Sequence, residues 1–184
     1  MHDVGIYENL ILGIHFLLLK KCKIFDEKTI VRCYTGRSMR INVRKHERRG
    51  YQSIKMSNIL EKQFLKQRND FQKSCVERDK KYHFPQGVIF ETDIAYAKDK
   101  NKAHRLDRYR PKGKEAQILP VIINVHGGGL LLGNKEFNKY FCALLSKKGF
   151  LVYSMEYRLI PVCTFFDQLR DIFLAMDFVK EHAA

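Results

Sequence analysis

An α/β fold with a parallel sheet is predicted for residues 85–184 of this chain, and three observations carry the prediction. From Gly87 onward, strand-like and helix-like stretches alternate in the order β-β-loop-β-α-β-α. The stretch VIINV, Val121–Val125, is apolar on both sides apart from Asn124, as a strand buried between helices should be. The last four elements form a βαβα run, which packs helices on the faces of a parallel sheet.

The N-terminal elements are less regular. Leu10–Leu19, LILGIHFLLL, is an apolar run of about ten residues, half of the roughly 20 that a spanning helix needs. Asp3 and Glu8 precede it and Lys20, Lys21 and Lys23 follow it, the reverse of a signal peptide's charge order. The run reads as a packed amphipathic helix, with a membrane-surface anchor over residues 6–23 as the alternative. A basic segment follows, holding Arg32, Arg37, Arg40, Arg44, Lys45, Arg48 and Arg49. Over residues 51–81, Met56, Leu60, Phe64, Phe71 and Cys75 recur on one helical face, opposite Lys, Arg, Gln and Glu. Residues 1–84 are therefore expected to be a basic, mainly helical region, a cap, lid or appendage to a core at residues 85–184.

Pro85 and Gly87 end that helix. GVIFETDIAYA (Gly87–Ala97) is β-rich, AKDKN makes a polar turn, and HRLDRYRP (His104–Pro111) reads as the return strand. Pro120 opens the strand Val121–Val125. After the glycines that follow, Asn134 is the expected N-cap of a helix whose stripe is Phe137, Phe141, Leu144 and Leu145, ended by Gly149. Phe150–Met155 is a second short apolar strand. Phe165, Leu169, Ile172, Phe173, Met176 and Val179 mark a final amphipathic helix.

The formal net charge of +14 is unevenly spread. Residues 1–84 hold 19 Lys/Arg against 9 Asp/Glu, whereas residues 85–184 hold 15 against 11. The excess thus belongs to the N-terminal region, where it would attract phosphates or an anionic surface. Aromatic residues are not interleaved with these bases as a stacking platform requires, which argues against a nucleic-acid partner. The five cysteines contain no CxxC pair, so free thiols, a cytoplasmic location and no metal are expected, with attachment to a membrane surface as the alternative location.

The stretch VHGGGLLLG, Val125–Gly133, places three consecutive glycines at the end of the central strand. Glycines cost conformational entropy and bury no side chain, yet they leave backbone amides uncovered. At the C-terminal edge of a parallel strand, two such amides aimed at one point would stabilise a developing oxyanion. The alternative is a turn that is glycine-rich for tight packing alone. A phosphate cradle is excluded, since neither GxxxxGK[ST] nor GxGxxG is present.

The context sharpens the reading. His126-Gly127-Gly128-Gly129 lies between a strand and a helix, and the next strand ends in Tyr157-Arg158-Leu159-Ile160-Pro161. Together with DIAYA, LDRYRPKG and FFDQLRD (Phe165–Asp171), these segments resemble the α/β-hydrolase esterases and lipases of the hormone-sensitive-lipase type over residues 87–184. The resemblance implies the N-terminal portion of an α/β-hydrolase sheet, β-β-β-α-β-α, acting on a small-molecule or lipid ester without a cofactor. It implies that the backbone amides of Gly128 and Gly129 are oxyanion donors. His126 and Gly127 would brace the loop, and Tyr157, Arg158 and Asp171 would anchor it to the sheet edge, with plain packing as their alternative role. Leu130 stands where the family usually has an aromatic residue, and Phe166 replaces a proline; either would reshape the acyl pocket.

The rest of the acyl-transfer machinery is not in these residues. None of Ser38, Ser53, Ser57, Ser74, Ser146 and Ser154 has glycine at both −2 and +2, so there is no GxSxG elbow. Cys163 has no elbow around it, and His182, in the last helix, stands where the family's order does not place its histidine. In the resembled family the elbow follows the helix that here ends FVKEHAA. The chain therefore reads as the N-terminal part of a serine carboxylesterase, inactive by itself. Whether it acts as an enzyme is left open, the alternative being a non-catalytic remnant whose basic arm binds a membrane surface or nucleic acid. A sheet stopped at this point is expected to expose a strand edge and aggregate unless something covers it.

Overall fold

The computed structural model describes residues 15–19, 30–32, 38–40 and 58–183. The element order is β1 (His15–Leu19), β2 (Ile30–Arg32), β3 (Ser38–Arg40), α1 (Asn58–Asp79), β4 (Val88–Ala95), β5 (Arg105–Pro111), β6 (Val121–Val125), α2 (Lys139–Lys147), β7 (Leu151–Met155) and α3 (Phe165–His182). From Gly87 onward this is the predicted order.

The main sheet runs β1-β6-β7-β5-β4, with β2 and β3 pairing separately. At its centre β6 and β7 are parallel, Ile123 opposite Tyr153. The remaining pairs are antiparallel: β5 with β7, β4 with β5 and β1 with β6. The fold is thus a mixed α/β sheet whose parallel character is confined to the one pair joined by a helical crossover, α2. All five residues of β6 and all five of β7 are buried, the pattern of strands covered on both faces.

On one face α3 packs Ala175, Met176 and Val179 against Leu106, Ile123, Leu151, Tyr153 and Met155. On the other, α2 presents Cys142 and Ala143 to Tyr109, Ile122 and Val152. The predicted stripe of α2 is rotated by this choice: Leu144 is exposed, and Cys142, Ala143 and Ser146 are the buried residues. Small side chains let the helix settle close to the strands, and that contact outweighs the larger apolar residues beside them.

Three local expectations change in the structure. Asn134 does not cap α2; its Oδ1 accepts from the Glu136 amide in a preceding turn, and the N-cap is Asn138, whose Nδ2 donates to buried Asn124. The part of Leu10–Leu19 that is described, His15–Leu19, is a strand rather than a helix. An unbroken apolar run fits either state, and the free edge of β6 supplies the partner that decides it. The edge expected to stand open is thereby paired over five residues. On the N-terminal helix, Phe71 and Cys75 face the body as expected, but Leu60 is exposed and Met56 lies outside the described residues. Of the basic segment, Arg32 and Arg40 fall on β2 and β3, and its other members lie outside the described residues.

Candidate functional site

β6 and β7 deliver their C-terminal ends side by side, and the loops that leave them form the site. His126, the first residue beyond β6, is buried. Its Nδ1 lies 2.9 Å from the Gly127 carbonyl and its Nε2 lies 3.0 Å from Glu156 Oε1. Its ring stacks on Tyr157 at 4.3 Å, and the Tyr157 hydroxyl donates to the His126 carbonyl at 2.8 Å. Both ring nitrogens thus face oxygen atoms, one in the loop itself and one at the end of β7.

The glycines then take backbone conformations that side chains disfavour. Gly128 has φ 134°, Gly129 φ 62° and Gly133 φ 93°, while Leu130 adopts φ 70°. A Cβ on Gly128 would lie 2.1 Å from the Leu132 carbonyl oxygen, and one on Gly133 would lie 2.4 Å from the Gly127 oxygen. These two positions therefore require glycine. A Cβ on Gly129 would meet nothing within 4 Å, so the backbone there faces open space. The Gly128 carbonyl accepts the Leu131 and Leu132 amides, closing the turn. No acceptor among the described residues takes the amides of Gly128 and Gly129.

The segment after β7 holds this loop. The Ile160 amide donates to the Leu130 carbonyl at 3.1 Å. Arg158 forks onto Asp171, Nη2 to Oδ1 at 2.7 Å and Nε to Oδ2 at 2.9 Å, and the Arg158 amide also donates to Asp171 at 3.0 Å. The Asp171 bond raises the Arg158 guanidinium above its ordinary value, against a smaller effect of burial. On α3, Thr164 and Asp167 form a reciprocal cap that fixes where the helix begins and thus where Gln168 and Asp171 point.

The structure brings together His126, Gly127, Gly128, Gly129, Tyr157, Arg158 and Asp171, all singled out from the sequence. It also shows residues that sequence reasoning did not assign to the site. Glu156 bridges His126 and the Lys135 amide. Gln168 Nε2 donates to the carbonyls of Leu130 and Arg158, both at 2.9 Å, tying the two loops to α3. Lys135, buried, reaches Asp107 on β5 at 2.9 Å and Asp93 at the β4 bulge at 3.1 Å. Gln168 lies within the FFDQLRD segment, so a signal existed; Glu156 and Lys135 had none.

Ser154 is fully buried and donates to the Lys135 carbonyl at 2.6 Å. Burial pushes the Cys163 thiol up to about 11, leaving little thiolate at neutral pH. His182 bonds the Phe178 carbonyl within its own helix. Among the described residues, no group of three His, Cys, Asp or Glu side chains is placed to hold a metal ion, and no helix is long and apolar enough to cross a membrane. Apart from His15–Leu19, residues 6–23 lie outside the described residues.

Residues 106–184 match the BD-FAE family model. Esterase B from Lactobacillus rhamnosis superposes with a TM-score of 0.57 at 27% identity, covering 65% of this chain and 40% of that one. Over this part, the chain is related to the carboxylesterases. An esterase from Pyrobaculum calidifontis matches with a TM-score of 0.52 at 25% identity, covering 77% of this chain and 42% of that one. Tuliposide A-converting enzyme b1 of Tulipa gesneriana is 32% identical over 69 residues, 36% of this chain and 18% of its own. The chain thus spans less than half the length of each of these relatives.

Proposed function

We propose that this chain carries the oxyanion-stabilising part of a serine carboxylesterase site of the hormone-sensitive-lipase-like, HGGG type. The observation that supports it is the pair of Gly128 and Gly129 amides, without an acceptor among the described residues, at the end of a central parallel strand. An ester carbonyl seated there gains two N–H donors as its oxygen turns negative, and each such donor is worth about 10²–10³ in rate. A serine Oγ bonds to the carbonyl carbon as its proton passes to a histidine base, and the C=O electron pair moves onto the oxygen held by these amides. Collapse of that oxyanion breaks the ester C–O bond, the histidine returns the proton to the departing alcohol, and the serine is left acylated.

No GxSxG is present, so the serine lies outside these 184 residues, and the resembled family's order places its acid and histidine after that serine. This chain alone turns over no ester. His126, Gly127, Tyr157, Arg158 and Asp171 support the loop, residues 85–184 carry the catalytic core, to whose sheet β1 is added, and residues 1–84 otherwise supply a cap, lid or appendage. The substrate class is a small-molecule or lipid carboxylic ester; esterase B has been solved inhibited by a tributyrin phosphonate. The free thiols Cys75, Cys142 and Cys163 fit a reducing, cytoplasmic setting.

The test is a titration of the ¹⁵N-labelled chain with butylphosphonate, an anionic tetrahedral mimic of the intermediate. Saturable shifts of the Gly128 and Gly129 amide signals are expected, and shifts confined to the basic N-terminal residues would overturn the reading. In parallel, p-nitrophenyl butyrate should not be hydrolysed. Turnover that survives both Cys163→Ala and His182→Ala would show that the machinery is not where it is placed here.

A further inference from the structure

The Gly128–Gly133 loop is held from the α3 side by Gln168, and a second hold reaches it from α1. Arg68 Nε donates to the Leu131 carbonyl at 2.8 Å, and Arg68 Nη2 donates to the Ile160 carbonyl. These two donors lie on one edge of the guanidinium, and the two carbonyls belong to the two different loops of the site. We infer that Arg68 is a positioning residue that latches the loop after β6 to the loop after β7, and so sets the geometry of the Gly128 and Gly129 amides.

The pattern around Arg68 differs from that of its neighbours. Arg78 pairs with Asp79, Arg108 with Glu91 and Arg158 with Asp171. Arg68 has no carboxylate within 4.0 Å among the described residues, and both of its hydrogen bonds go to main-chain oxygens of the site. The remaining contacts of α1 run along the chain beyond the loop. Gln72 accepts from Asn134, Arg78 donates to the Phe137 carbonyl at 2.8 Å, and Lys139 meets Asp79 at 3.0 Å. The loop itself has little to hold it: the Leu131 and Leu132 amides both close on the Gly128 carbonyl, and Leu130 is left-handed. A turn with so few internal bonds opens readily unless neighbouring elements fix it. Arg68 from α1 and Gln168 from α3 both hold it, one on the carbonyl of Leu131 and the other on that of Leu130. The N-terminal region is on this account part of the site's framework, not an appendage to it.

The inference deepens the oxyanion reading and takes its catalytic meaning from it, but its test reads the loop itself. Amide hydrogen exchange at Leu131, Leu132 and Ile160 is compared among wild type, Arg68→Ala, Arg68→Lys and Arg78→Ala. Loss of two charge-assisted bonds should speed exchange of these amides on the order of tenfold or more in Arg68→Ala. Arg68→Lys should recover part of the protection, since one ammonium keeps the charge but not the fork. Arg78→Ala should speed exchange in the last turn of α1 and leave the loop amides near wild type. The inference is overturned if Arg68→Ala leaves the loop amides unchanged, or if Arg78→Ala loosens them equally, which would reduce Arg68 to general docking of α1. Failure here with successful phosphonate binding would sink the latch alone. Confirmed latching without phosphonate binding would sink the oxyanion reading and leave Arg68 a purely structural clamp.

Discussion

The two loops that leave the parallel pair are neighbours built in opposite ways. After β6, Gly128, Gly129, Leu130 and Gly133 all carry positive φ, and two amides find no acceptor among the described residues. After β7, nearly every polar group is engaged: Glu156 on His126 and Lys135, Tyr157 on the His126 carbonyl, Arg158 on Asp171. On the proposed oxyanion role, a loop that keeps donors free for a ligand cannot use them to hold itself. Its shape is therefore imposed by side chains from the other loop and from α1 and α3. The open loop depends on the closed one.

The largest break in this contrast is predicted for Gly128→Ala. The added methyl would collide with the Leu132 carbonyl at 2.1 Å in a conformation alanine rarely adopts. A loss of about 4 kcal/mol or more in urea unfolding is expected, together with loss of phosphonate binding. Gly129→Ala sharpens the point, because its methyl enters open space and only the φ of 62° is strained. Its cost should be about 1 kcal/mol. Equal losses at the two glycines would mean that the loop's shape is not what this structure describes.

Next comes Asp171→Ala, which leaves the Arg158 guanidinium and amide without their acceptor beneath the closed loop. Removing the buried partner of a pair whose guanidinium is partly exposed should cost about 2 kcal/mol in urea unfolding. The change should also loosen the Leu130–Ile160 contact, and unchanged exchange at Ile160 would show that the two loops are independent. The smallest effect is at the helix start that aims Gln168 and Asp171. Thr164→Ala should cost about 1 kcal/mol.

The same cap carries a pH signature. The Thr164 amide and hydroxyl hold the Asp167 carboxyl below its ordinary value. A depressed folded value means that the contribution is present above the unfolded carboxylate value, near about 4, and is lost as pH falls through the folded value. Asp167→Asn should flatten that acid limb of the stability curve, and an unaltered limb would assign it to other carboxylates.

Much of the framework was legible in residue patterns. The hairpin, both central strands and α3 fall where alternation and helical spacing put them, because those signals are local. The uncovered amides at Gly128 and Gly129 were proposed from three glycines following a strand, whereas His126, Tyr157, Arg158 and Asp171 were proposed only through their resemblance to a known arrangement of segments. Glu156, Lys135 and Arg68 were not legible at all. Each acts across loops or between elements far apart in the chain, and nothing in an isolated Glu, Lys or Arg says which carbonyl or carboxylate it will meet. α2 was misjudged in its start and its buried face, since packing against Tyr109 and Val152 favours Cys142 and Ala143 over larger neighbours.

By itself the sequence determined the alternation of elements from Gly87, the glycine requirement after β6, and the absence of a GxSxG elbow from these residues. Periodicity, φ preference and motif composition are properties of short stretches and need no partner. Tertiary structure alone decided that β1 is a strand, that β5 lies between β7 and β4, and that α1 reaches the glycine loop through Arg68. Those outcomes depend on which free edges and unsatisfied carbonyls meet once the chain has closed on itself.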